Sequence, residues 1–173
     1  MSELELADTL MQKAARGNRR AMDQLYGLLA TPLYNYLLRL SGDPDLANDA
    51  LQNTFLQAWQ SRDTFRGDGA RPWLFVIARN ASRRLRTPPV ATPAAETADP
   101  GADPAAAQTA RETAAQLEHA LAKLPEDTRE AIVLSRVAGL DLDEIAGILG
   151  TTNGALRVRL SRGLAALKKE LEL

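Results

Sequence analysis

The 173-residue sequence has no cysteine and a single histidine. The first absence excludes disulfides and thiolate metal sites and fits a reducing compartment. Aromatic residues make up only 5% of the chain, which together with abundant Leu and Ala favours helices over sheet. No segment alternates with period two over a useful length, so no sheet is predicted. No apolar run approaches the ~20 residues that a membrane span requires. The first ten residues, MSELELADTL, are acidic and amphipathic and lack the basic start and apolar core of a signal peptide. Together these absences describe a soluble, cytoplasmic protein with no membrane insertion.

Charge is nearly balanced overall, with 21 Lys+Arg against 22 Asp+Glu, but it is unevenly placed. Residues 66–86 hold six arginines (66, 71, 79, 83, 84 and 86) against one acid, Asp68. Residues 150–169 hold Arg157, Arg159, Arg162, Lys168 and Lys169 and no acid. Between them, residues 87–110 carry Glu96, Asp99 and Asp103 and no base. Two cationic segments across an anionic one suggest a nucleic-acid partner that the net charge conceals.

The intervening stretch, TPPVATPAAETADPGADPAAAQTA, contains five of the nine prolines and no Leu, Ile, Phe, Tyr or Trp. Too little apolar surface is available to offset ordering entropy, so residues 87–110 read as a flexible, partly extended linker. The expected fold is all-α: two small helical domains, residues 1–86 and 111–173, joined by that tether. In the first, Leu46, Ala50, Leu51, Thr54, Phe55, Ala58 and Trp59 form one stripe of a helix over about residues 43–60. Asp43, Asp45 and Asp49 suit the positive end of its dipole better than a metal, since no histidine supports them and His119 reads as a surface residue. Leu25, Leu28, Leu29, Leu33, Tyr36, Leu37 and Leu40 give an earlier stripe, kinked at Pro32. RGDGARP is a glycine-rich turn, with Pro72 in the first turn of a following helix.

The second domain reads as four helices. Asp141 and Glu144 make an Asp-x-x-Glu capping box that opens a short third helix. Gly150 turns the chain, Thr151 or Thr152 caps, and the last helix carries Leu156, Leu160, Leu164 and Leu167 on one face. A short helix, a glycine turn and a longer basic helix form a helix-turn-helix pattern. Thr152, Asn153, Arg157, Arg159 and Arg162 fall off the leucine stripe near the helix start, where base-reading side chains sit. Lys168 and Lys169, further along, suit backbone contact or simply complement the C-terminal dipole. Gly163 costs about 1 kcal/mol of helix propensity relative to alanine.

Three segments in series carry a resemblance. DLANDALQNTFLQAW (residues 45–59), FRGDGARPWLFVIARNASRRLR (residues 65–86) and LPEDTREAIVLSRVAGLDLDEIAGILGTTNGALRVRLSRGLAAL (residues 124–167) resemble, in order and spacing, the bacterial extracytoplasmic-function (group 4) sigma factors of the sigma-70 family. The resemblance implies a promoter-specificity subunit rather than an enzyme, needing no cofactor or metal. Residues 1–86 then correspond to sigma region 2 and residues 111–173 to sigma region 4. It implies core RNA polymerase as partner, through its β′ clamp helices and β flap, with Asn48, Asp49, Gln52, Asn53 and Gln57 facing the clamp helices. Promoter DNA is the second partner, both single-stranded and duplex. Phe65, Arg66, Gly67, Asp68 and Gly69 would form a loop that captures an unstacked minus-ten base, and Asn80 would read its edge. Arg79, Arg83 and Arg84 would hold the single strand's phosphates. Trp73 would either line that path or belong to the core. Thr152, Asn153, Arg157, Arg159, Arg162 and Lys168 would engage the minus-thirty-five duplex. An anti-sigma protein that clamps both domains is the implied regulator. The domains would have no fixed spacing until polymerase sets it. The rival reading is a sigma-like decoy that sequesters an anti-sigma factor without binding DNA.

Overall fold

The computed structural model describes residues 1–67, 69–85 and 103–172. Those residues form eight α-helices and one short 3-10 turn, with no strand among them. In chain order they are α1 (Glu3–Ala15), α2 (Arg19–Ser41), α3 (Pro44–Gln60), the 3-10 turn (Arg62–Thr64), α4 (Ala70–Leu85), α5 (Pro104–Ala122), α6 (Glu126–Arg136), α7 (Leu142–Leu149) and α8 (Asn153–Glu170).

Local chemistry sets most of the boundaries. Ser2 and Glu5 close a reciprocal capping box on α1, so the acidic N-terminal decapeptide opens a helix. Asn18 caps α2, which continues through Pro32 to Ser41. Asp43 accepts the Asp45 N–H at the start of α3, with Pro44 in the first turn, so this acid caps the helix. One expected boundary moves. Residues 104–110, read as linker, are the first turns of α5, because Asp103 caps Ala105 and Pro104 opens an alanine-rich run. Of the remaining linker, only Asp103 lies among the described residues.

Helices α1–α4 pack around Met11, Leu25, Leu29, Leu33, Tyr36, Leu37, Leu74 and Phe75, all essentially inaccessible. Helices α6, α7 and α8 close a second layer around Leu134, Ile145 and Leu156, and α5 lies along α8 through Leu121 and Leu167. The last helix presents Leu156 and Leu167 inward with Leu160 and Leu164 half-buried, as its leucine stripe predicts. Gly163 is also buried. A Cβ built there would lie 2.5 Å from Thr128 Cγ2 and 2.8 Å from Ile132 Cδ1. The helix-weakening glycine is therefore what lets α8 approach α6 so closely.

The two domains are not separate bodies. α4 packs on α7 and α2 on α6, and the apolar core runs continuously from one domain into the other. Domains of unfixed spacing were expected from the linker's composition. Acids on the second domain, Glu130 and Glu144, and arginines on the first, Arg79 and Arg71, pair across the contact.

Candidate nucleic-acid and polymerase interfaces

Helices α7 and α8 meet at Gly150, whose φ of +66° is the left-handed conformation that ends α7. Asp141 accepts the Glu144 N–H at 2.8 Å, which is half of the expected box. The Glu144 carboxylate reaches instead to Arg71. Thr152 Oγ1 accepts the Ala155 N–H at 3.2 Å, settling which threonine caps α8. At about 100° per residue, Asn153, Arg157 and Lys168 lie on one flank of the buried stripe and Arg159 and Arg162 on the other. Arg159 and Arg162 line a shallow groove against Leu124, Pro125 and Thr128. Val158, about half exposed, stands on the outward face between the flanks. Asn153 is held by α7, its Nδ2 donating to Asp143 Oδ1 at 2.5 Å. Arg157, Arg162 and Lys168 are exposed and Arg159 half-buried.

The arginine-rich segment is helix α4 and the loop before it. Arg66, Asn80, Arg83 and Arg84 are exposed. Phe65 and Trp73 are both half-buried and meet edge to face with centroids 5.5 Å apart. Trp73 thus has one side in the fold and one toward solvent. Gly67 takes a φ of +90°; Asp68 lies outside the described residues.

Arg79 is different. Its Nε donates to Glu130 Oε1 at 2.6 Å, and Tyr36 Oη donates to the same oxygen at 2.7 Å. Glu130 is only 2% exposed, so one carboxylate of α6 is buried between a phenol of α2 and a guanidinium of α4. Burial, followed by the charge and hydrogen bond of Glu130, pushes the Tyr36 phenol well above its ordinary pKa. Burial alone would lower Arg79, but the hydrogen bond and charge of Glu130 outweigh it and raise the guanidinium's pKa. Tyr36 is further fixed by edge contact with Phe75 at 5.3 Å.

Two more ion pairs cross between the domains. Arg71 Nε and Nη2 embrace the Glu144 carboxylate at 2.9–3.2 Å, the planar fork-to-carboxylate geometry peculiar to arginine. Burial nonetheless raises the Glu144 carboxyl above its usual range by more than Arg71 lowers it. Arg39 pairs with Glu118 of α5. Among the described arginines of residues 66–85, Arg71 and Arg79 therefore face the second domain's acids.

On α3, Asn48, Asp49, Gln52 and Asn53 form an exposed face and Gln57 is half-buried. Leu56, in their midst, is 56% exposed; off the apolar stripe, it was not among the expected contacts. Asn53, Leu56 and Gln57 line a groove completed by Arg84 and Leu85 of α4. Arg84 Nη1 reaches Gln57 Oε1 at 3.4 Å, so the expected polymerase and DNA sets meet at that groove. A further basic group also escaped the reading. Arg19 and Arg62 flank the Trp59 ring at 5.6 and 4.1 Å, beside a run of Lys13, Arg16, Arg19 and Arg20 with no intervening acid.

The family models for sigma-70 region 2 and sigma-70 region 4 match residues 25–87 and 114–167. The chain is 34% identical to the RNA polymerase sigma factor CarQ of Myxococcus xanthus, over 94% of this chain and 98% of that protein. It is also 34% identical to the ECF RNA polymerase sigma factor SigL of Mycobacterium tuberculosis, over 92% and 93%. Its fold superposes on that of CnrH, solved in complex with the cytosolic domain of CnrY, with a TM-score of 0.77, 29% identity and coverage of 96% and 97%. The sigma factor RpoE of Bartonella quintana, solved with the anti-sigma factor NepR, gives a TM-score of 0.71, 28% identity and coverage of 87% and 96%. With both region models matched in order and relatives aligned over nearly its whole length, the chain belongs to the extracytoplasmic-function group of sigma-70 family RNA polymerase sigma factors.

Proposed function

We propose that this sigma factor reads promoters at two sites, as duplex through α8 and as opened strand through α4 and the 65–69 loop, while α3 docks on core polymerase in the cytoplasm. The observation that carries the reading is the placement of the arginines. Arg83 and Arg84 on α4 and Arg157 and Arg162 on α8 are all exposed, on helices that bury Leu74, Phe75 and Ile77 (α4) and Leu156 and Leu167 (α8). Exposed guanidiniums on two rigid helices suit phosphate and base-edge contact. Phe65 and Trp73, half-buried as an edge-to-face pair, offer a stacking surface next to the loop that receives the unstacked base. The α3 face, polar around the exposed Leu56, suits a protein partner, with an apolar contact inside a polar rim.

Duplex reading assigns Arg159 and Arg162 to one side of the upstream element and Asn153, Arg157 and Lys168 to the other, since α8 sets them on opposite flanks. An anti-sigma protein is the regulator that fits. CnrH and RpoE were solved with CnrY and NepR, and this chain matches their folds over both regions.

Run-off transcription with core polymerase on genomic promoter fragments tests the reading. Specific transcripts that depend on the added chain are expected. Arg159→Ala and Arg162→Ala should lower them through upstream binding while core-polymerase affinity is retained. No specific transcript from any template would overturn the reading and favour a decoy that only sequesters an anti-sigma factor.

A further inference from the structure

The described residues of the 65–69 loop include two glycines that give its backbone little stiffness of its own. Gly67 and Gly69 both adopt positive φ, +90° and +78°, and glycine at such positions leaves the backbone unusually free to rearrange. A loop that distinguishes one unstacked base from another has to present a fixed recess, because a slack one admits all four. The constraint comes from α1, far away in sequence. Asp8 Oδ1 accepts the backbone N–H of Ala70 at 2.6 Å, across 62 positions. Ala70 is fully buried and is the first residue of α4, so its N–H is one of the donors a helix start leaves unpaired. A carboxylate there forms a short, charge-assisted bond and complements the helix dipole.

α1 also runs close beside the loop at Gly67. Gln12, one turn beyond Asp8, brings Nε2 to 3.9 Å from where a Cβ on Gly67 would sit. On the other side, Trp73 N donates to Gly69 O at 3.2 Å, and the Trp73 ring meets Phe65. The loop is thereby fastened to α4 by its own chain and to α1 by Asp8, with Gln12 alongside.

We propose that Asp8 is a positioning residue for minus-ten base selection: by anchoring the α4 N-terminus at Ala70, it sets where Gly69 and Phe65 lie against Trp73. The proposal rests on the reading that this loop captures an unstacked base. Asp8 itself touches no DNA. It acts through Ala70 and the two glycines, and its removal loosens the choice of base before it unfolds the domain.

The test uses full-length chain, core polymerase and four templates that differ only at the minus-ten base presented to the loop. Wild type is expected to prefer one base by about tenfold, the scale of a single mismatch. Asp8→Asn keeps an acceptor at the same place and should retain that preference to within about twofold. Asp8→Ala removes the acceptor, and Asp8→Glu keeps the charge but moves the acceptor by about one bond length, ~1.5 Å. Both should reduce the preference to about threefold or less, mainly by raising transcription from the three poorer templates relative to the best. Holoenzyme affinity should be unchanged in all three variants. Asp8→Glu keeps the test open should Asp8→Ala melt below assay temperature. Retention by Glu with loss in Asn would assign the residue a purely electrostatic role and overturn the proposal, as would equal loss on all four templates. A Phe65→Ala control separates the two levels. If neither wild type nor Phe65→Ala shows a loop-dependent preference, the base-capture reading fails; if the preference depends on Phe65 but survives Asp8→Ala, only the positioning role fails.

Discussion

Arg79 of α4 donates its Nε–H to Glu130 of α6 at 2.6 Å, on an oxygen that also accepts from Tyr36. With that donor engaged and the side chain half-buried, the packed arrangement competes with the strand contact expected of Arg79. Replacing Glu130 by Ala leaves Tyr36 and Arg79 without their shared acceptor. Breaking a buried pair from one side costs about 3–5 kcal/mol, and the loss falls on the contact between the domains. In Glu130→Ala the domains should separate, read as lower energy transfer between fluorophores on α3 and α8. The free chain should then bind a single-stranded minus-ten oligonucleotide about tenfold more tightly by anisotropy, the gain expected if roughly nine-tenths of the wild type is closed. Arg79→Ala in the same background should abolish that gain.

Tyr36 makes the same contact sensitive to alkali. Its phenol is held well above the ordinary tyrosine value of 10.0 by burial and by Glu130. An acid whose folded pKa is raised contributes stability that is fully present below its unfolded pKa and lost as pH rises through the folded one. The contribution should therefore hold at neutral pH and decline above pH 10. Tyr36→Phe should be less stable by about 1 kcal/mol at pH 7, having lost one hydrogen bond. Its denaturation midpoint should converge on that of the wild type as pH climbs past 10. Parallel curves for the two proteins would exclude Tyr36 as the linked group.

Gly163 should resist the usual helix-stabilising substitution. Alanine gains about 1 kcal/mol of propensity, but its Cβ would sit 2.5 Å from Thr128 Cγ2 and 2.8 Å from Ile132 Cδ1. Overpacking of that kind costs about 1–3 kcal/mol. Gly163→Ala is expected to lower the thermal midpoint, and adding Thr128→Ser, which deletes the nearer methyl, should recover part of the loss. Calorimetry of the three proteins checks the order.

The elements legible in the sequence were those whose information is local. The α3 and α8 stripes follow from a 3.6-residue period, and the caps at Asp43, Asp141 and Thr152 lie within three residues of the N–H groups they accept. The partners of Arg71 and Arg79 lie 73 and 51 positions away, and no pattern in the sequence singles out Glu144 or Glu130 for them. Arg79 consequently read as one more phosphate ligand. Composition misled once, where proline and alanine suggested tether and concealed the Asp103–Pro104 start of α5. Asp8 was invisible for the same reason as Glu130, since its acceptor role is defined by a residue 62 positions away. The two flanks of α8 were computable from residue spacing alone, yet charge drew all the basic residues into one group.

Leu56 offers the most direct check on the polymerase face. It is 56% exposed among Asn48, Asp49, Gln52 and Asn53, so it adds little to the fold and is free to enter a partner's surface. A leucine buried in an interface contributes about 1.5–3 kcal/mol by the area removed from water, and an introduced acid there is desolvated without a partner. Leu56→Asp should therefore weaken core-polymerase binding by at least about tenfold, the equivalent of 1.4 kcal/mol. Its thermal midpoint should stay close to that of the wild type, because surface substitutions of this kind shift stability by about 0.5 kcal/mol or less. Duplex binding by α8, measured on a minus-thirty-five fragment at low salt, should be unaffected. Competition against wild-type chain for fluorescently labelled core polymerase gives the affinity directly. Unchanged affinity would place the polymerase contact away from the exposed face of α3.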